Sequence, residues 1–109
     1  MVKVNCFKDA DGCMNGYLIT GHAGFAQSGQ DIVCAAVSVL GINTANALET
    51  IAGIPVVTEM REGYLKVMLP SGLSAAKKHD ALLLLNSLKL GLESIQESYG
   101  PQYLQLSTF

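Results

Sequence analysis

The chain has 109 residues, half of them apolar and 15% charged, with nine acidic against seven basic side chains and a net charge of −2. A chain of this length buries one hydrophobic core and not two, so residues 1–109 read as a single domain. Its cations are scattered, only Lys77 and Lys78 adjoining, which speaks against direct binding to nucleic acid.

Val2 to Phe7 alternates as a strand does, with Val2, Val4 and Cys6 on one face. Asp9-Ala10-Asp11-Gly12 supplies turn chemistry, and Cys13 to Thr20 reads as the returning strand. Gly21 to Gln30 is a loop with three glycines and almost no periodicity, and its part from Ala23 to Gln30 reads as a lid anchored only by Phe25. Asp31 is a good N-cap for a helix running to about Ala52, with Val33, Val37, Leu40, Thr44, Leu48 and Ile51 as its core stripe. Beside it runs a narrower stripe of small residues, Cys34, Ser38, Gly41 and Ala45. Such a stripe either admits another element closely or leaves room for a ligand. Gly53 is placed to stop the helix.

Val56 to Met60 and Tyr64 to Leu69 are a second pair of strands, joined through Arg61-Glu62-Gly63. Ser74 is the expected cap of a second helix from about Ala75 to Tyr99, closed by Gly100-Pro101. Ala81, Leu84, Leu85, Leu88, Leu92 and Ile95 form its main face. Leu83 and Leu90 lie on the opposite, polar side, either covered by a dimer partner or simply two exposed leucines. Tyr103 to Phe109 is the last strand. The order β-β-α-β-β-α-β predicts an α+β fold: a single-layer sheet, made of an N-terminal hairpin, a central hairpin and a C-terminal strand, packed with two long helices.

The N-terminus alternates instead of offering a signal-length apolar stretch. The longest unbroken apolar run of the second half, Ala81 to Leu85, is too short to cross a bilayer. A cytoplasmic protein with no membrane partner is expected. None of the three cysteines has zinc-type spacing with another or with His22 and His79, so no metal is expected and three free thiols are the default. Cys6 and Cys13 flank the first turn, and they either approach each other or stay reduced strand residues.

The chemistry concentrates on His22 and Cys34, twelve positions apart. A cysteine attacks as its thiolate, which a helix N-terminus and a neighbouring imidazole both favour. With Asp31 as cap, Cys34 falls at the third helical position, among backbone N–H groups that lack intrahelical partners and can stabilise an oxyanion. A strand–loop–helix return can bring His22 to it as general base and then as general acid. Gly21 lets another backbone approach, Ser38 lies one turn beyond Cys34 on the same face, and Asp31 can orient His22 as well as cap. Each residue also has a plainer reading: Cys34 and Ser38 as helix packing, His22 as a loop histidine bonded to backbone, His79 as solvated. Tyr17, Phe25 and Tyr64 are candidates for a substrate groove on size alone.

Taken together, Gly21-His22-Ala23, Gly29, Asp31-Ile32-Val33-Cys34-Ala35-Ala36 and Ser38 resemble the bacterial ribosomal-processing cysteine protease family. The length and order of elements fit that family over the whole chain, although only the first third carries specific residues. The resemblance implies a cysteine endopeptidase that removes a short N-terminal extension from a large-subunit ribosomal protein, cutting after a hydrophobic segment that ends in phenylalanines. It implies Cys34 as nucleophile and His22 as its base, supported by Gly21, Asp31 and Ser38. It also implies a homodimer and no metal or organic cofactor. The alternatives are a non-enzymatic factor that binds the tail of a ribosomal protein during ribosome assembly, and a thiol redox sensor, for which no resolving cysteine lies at short spacing.

Overall fold

β1 (Val2–Lys8) and β2 (Met14–Thr20) form the first hairpin, and the alternation read from the sequence is real: Val2, Val4 and Cys6 are buried on one face. The turn between them is organised by Asp9, whose Oδ1 accepts the N–H groups of Asp11 and Cys13 at 2.9 and 3.0 Å. Gly12 takes φ 80°, which the reversal requires of it. These amide bonds, with the Lys78 ammonium 3.3 Å away, hold the Asp9 carboxyl below its ordinary range. Cys6 and Cys13 are free thiols, as is Cys34. This computed structural model describes residues 1–21 and 30–108, with backbone alone at 30 and 31.

α1 (Gln30–Thr50) follows, then the hairpin β3 (Val57–Arg61) and β4 (Tyr64–Met68), α2 (Ala75–Tyr99) and β5 (Leu104–Thr108). The architecture is α+β. The five strands make one sheet in the order β3-β4-β2-β1-β5, antiparallel throughout except for β1 beside β5. Register pairs Val4 with Ile19 and Cys6 with Tyr17, and in turn Ile19 with Leu65 and Tyr17 with Val67. Cross-strand partners share a face, so these residues form one continuous buried surface beneath the two helices.

α2 is capped as its sequence predicts: Ser74 is extended (φ −62°, ψ 161°) and its hydroxyl accepts the Lys77 N–H at 3.2 Å. Ala81, Leu85, Leu88 and Leu92 are buried, and Leu84 and Ile95 pack at the margin of the core. Burying each of these leucines contributes roughly 1.5–3 kcal/mol. The two helices run antiparallel and close together, since a Cβ on Gly91 would stand 2.9 Å from Leu40 Cδ1.

The core stripe of α1 holds at Val33, Val37, Thr44 and Leu48, while Leu40 packs at its margin. It fails at Ile51, which is 78% exposed. The helix ends at Thr50 and the chain reverses through Gly53 at φ 68°, so Ala52 and Ile54 fill the position instead. The Lys77 ammonium donates to Ala52 O at 2.5 Å and secures that end to α2. Ile32–Thr50 is long and apolar enough to cross a membrane by length and composition, a property a core helix shares. Here its apolar stripe packs into the fold.

Candidate active site

Cys34, Ser38 and Ile42 succeed one another at four-residue intervals and therefore lie along one face of α1. Opposite them stand Met60 and Arg61 of β3 and Tyr64 and Leu65 of β4, and the space between is a pocket of about 160 Å³. Its rim is formed by Gly21 and Gly63, joined by a bond from the Gly21 N–H to Gly63 O at 3.0 Å. Gly21 needs to be glycine twice over. It adopts φ 85°, and a Cβ there would run into the carbonyl oxygen of Met1.

The floor of the pocket is set by a close approach of helix to sheet. Gly41 is buried, and a Cβ on it would lie 2.5 Å from Ile19 Cδ1 and 3.1 Å from Leu65 Cδ2. Tyr17, fully buried, donates its hydroxyl to Gly41 O at 2.6 Å and fastens α1 to β2. Burial raises the Tyr17 phenol well above its ordinary value, so the hydroxyl keeps the proton it donates. Tyr17 is thus a structural anchor and not the groove residue its size suggested. Tyr64 does line the pocket, with the Arg61 guanidinium stacked 3.8 Å from the centre of its ring.

Cys34 is half-buried at this pocket as a free thiol. α1 begins at Gln30, so Asp31 is its second residue and not its cap, and Cys34 is the fifth residue and not the third. The N–H of Cys34 consequently lies within the i to i−4 ladder and is no longer one of the unpaired donors. Side chains on a helix tilt toward its N-terminus, which directs the thiol back over the first turn and its positive end. Ser38, one turn on, lines the same pocket.

His22, the 23–30 lid and Phe25 lie outside the described residues, apart from the backbone of Gln30 in α1. Among the described residues no three His, Cys, Asp or Glu side chains gather in a group able to hold a metal ion. Met60, Arg61 and Ile42 are pocket residues that sequence reasoning missed. Ile42 alone carried a signal, being eight positions beyond Cys34 on the same helical face.

A sequence profile of the family described as cysteine protease Prp matches residues 1–105. A ribosomal processing cysteine protease Prp of Bacillus subtilis is 31% identical over 101 residues, covering 91% of this chain and 90% of that one. The crystal structure of SMU.848 from Streptococcus mutans superposes with a TM-score of 0.83 at 33% identity, covering 100% of this chain and 96% of the other. The essential ribosomal processing protease Prp of S. aureus, solved in complex with a substrate peptide, superposes with a TM-score of 0.86 over the full length of both chains. At 21% identity, that likeness concerns the fold alone.

Proposed function

The chain belongs to the cysteine protease Prp family, and on that premise we propose that it processes a large-subunit ribosomal protein, removing a short N-terminal extension after a hydrophobic segment that ends in phenylalanine. The observation that carries this reading is the placement of Cys34, a half-exposed thiol on an apolar-walled pocket whose rim includes Gly21, the residue immediately before His22. A nucleophile must be reachable by a scissile carbonyl. Of the three thiols, Cys34 alone lines this pocket.

In the proposed mechanism His22 takes the Cys34 proton, and the thiolate adds to the carbonyl carbon of the scissile bond. The tetrahedral oxyanion collapses and expels the amine, which leaves with the proton carried by His22, and the acyl group remains on Cys34 as a thioester. Water, deprotonated by His22, then releases the cleaved extension as a carboxylic acid and restores the thiol. The positive end of α1 favours the anionic species along this path. Gly21 holds the rim, Ser38 offers a hydroxyl one turn from the thiol, and Asp31, in the first turn of α1, supports the site. No metal or organic cofactor enters the scheme. We read the active unit as a homodimer, a reading supported by Leu83 and Leu90 on α2, which are 59% and 67% exposed.

The test follows the mass of the extended ribosomal protein during incubation with this protein. A single cut after the phenylalanine-ending segment is expected, lost by a factor of about a thousand or more in Cys34→Ala and in His22→Ala. Tight binding without any cut, equal in all three proteins, would make the chain a tail-binding factor instead.

A further inference from the structure

The reading as a peptidase leaves open how the main chain of the substrate is held, and the edge of the sheet bears on this. β3 is the outermost strand and all five of its residues are exposed. Hydrogen-bond parity identifies which of its backbone groups are unpaired. Gly21 donates to Gly63 O and Leu69 to Asn15 O, and bonded pairs recur at every second residue of an antiparallel ladder. Between those two bonds, the β2–β4 register makes Ile19 with Leu65 and Tyr17 with Val67 the bonded pairs. Leu65 and Val67 therefore direct their N–H and C=O groups toward β2, while Tyr64, Lys66 and Met68 direct theirs toward β3. Their partners there are Arg61, Glu59 and Val57. The backbone groups of Thr58 and Met60 point off the sheet, and among the described residues nothing pairs with them.

Sheet edges are commonly blunted by charged side chains, proline or a bulge. The Val57-Thr58-Glu59-Met60-Arg61 strand has no proline and no bulge, its register with β4 is unbroken, and its two charges, Glu59 and Arg61, lie on the face opposite Met60. The edge is also continuous with the candidate active site. Met60 faces the helix side of the sheet together with its partner Leu65, and both line the pocket that holds Cys34. Met60 and Ile42 remain 66% and 41% exposed across the groove between β3 and α1, so apolar surface stands beside unpaired backbone.

We infer that β3 is the docking edge for the substrate, which pairs in extended form with the backbone of Thr58 and Met60 as a sixth strand. In such strand addition the main-chain bonds supply affinity and alternate side chains supply selectivity. Here every second side chain of the peptide enters the groove between Met60 and Ile42, which selects apolar residues at alternate positions of the segment leading to Cys34. The intervening side chains lie on the open face, beside Glu59 and Arg61.

The experiment measures binding of a synthetic peptide spanning the ribosomal-protein extension and its cut site to the Cys34→Ala protein. Thr58→Pro removes an outward N–H that the sheet does not use, at an edge position where proline is tolerated. An unchanged melting temperature and a dissociation constant raised about tenfold are expected. With Thr58 intact, peptides N-methylated at one residue at a time should bind more weakly at every second position and normally in between, a pattern independent of how well the proline variant folds. Cleavage by the unaltered protein, with binding indifferent to Thr58→Pro and to the methylation pattern, would overturn the docking edge and leave the peptidase reading standing. A Thr58→Pro protein that loses self-association while binding peptide normally would assign the edge to a second copy and overturn the inference as well. Absence of cleavage by the unaltered protein would count against the peptidase reading itself.

Discussion

In its first half α1 turns Cys34 and Ser38 toward open space, whereas in its second half Gly41 and Ala45, on the same stripe of small residues, are packed shut. The difference comes from what lies opposite. Tyr17, Ile19 and Leu65 press against Gly41, and the Tyr17 hydroxyl binds its carbonyl, so the helix touches the sheet there and has no slack. Toward the N-terminus the facing wall is the β3–β4 hairpin, and helix and hairpin diverge enough to leave about 160 Å³. A small residue is thus an instrument of contact at one end of the stripe and of access at the other. The tight end fixes where the open end, and with it the thiol, stands.

Valine placed at each of the two ends separates these roles most strongly. Gly41→Val should destabilise the fold by about 1–3 kcal/mol, because Ile19 and Leu65 cannot both retreat. Ser38→Val should leave the stability within about 0.5 kcal/mol of the original, yet weaken peptide binding as it fills the pocket. Equal stability losses in chemical denaturation would erase the distinction drawn here. A finer probe is Tyr17→Phe, which keeps the ring and removes only the tie to Gly41. It should cost about 1 kcal/mol and lower kcat more than it raises KM, since the helix that carries Cys34 is then less firmly placed. A drop in stability with unaltered kcat would make Tyr17 a packing residue only.

Much of this was legible in the order of residues because the signals were local. Alternation marked Val2, Val4 and Cys6, Gly12 marked a turn, and Ser74 marked the start of α2, each decided by chemistry within a few positions. The start of α1 was misplaced by two residues because Asp31 is a good cap by type, yet the helix begins at Gln30. Ile51 was misassigned because helical periodicity was carried past the point where Gly53 turns the chain. The site itself was half legible. Cys34 and Ser38 share a helical face that spacing reveals, but Met60 and Arg61 reach the pocket only because β4 pairs with β2 and carries β3 beyond it, a tertiary arrangement with no local signature. Tyr17 was mistaken for a groove residue since nothing in its neighbours announces that its hydroxyl is used inside the core.

The three cysteines permit the most direct test of the central claim that Cys34 is the nucleophile. Cys6 is buried in the sheet and burial raises its thiol above the ordinary range, which keeps it protonated and unreactive. Cys13 lies beside the first turn, away from the pocket. A peptidyl chloromethyl ketone ending in phenylalanine, incubated with the native protein and followed by peptide mapping, reports which sulfur is positioned to attack. One adduct per chain, on Cys34 and absent after His22→Ala, is the predicted result. Alkylation spread equally over Cys34 and Cys13, or a Cys34 that stays unmodified while substrate is still cleaved, would contradict it.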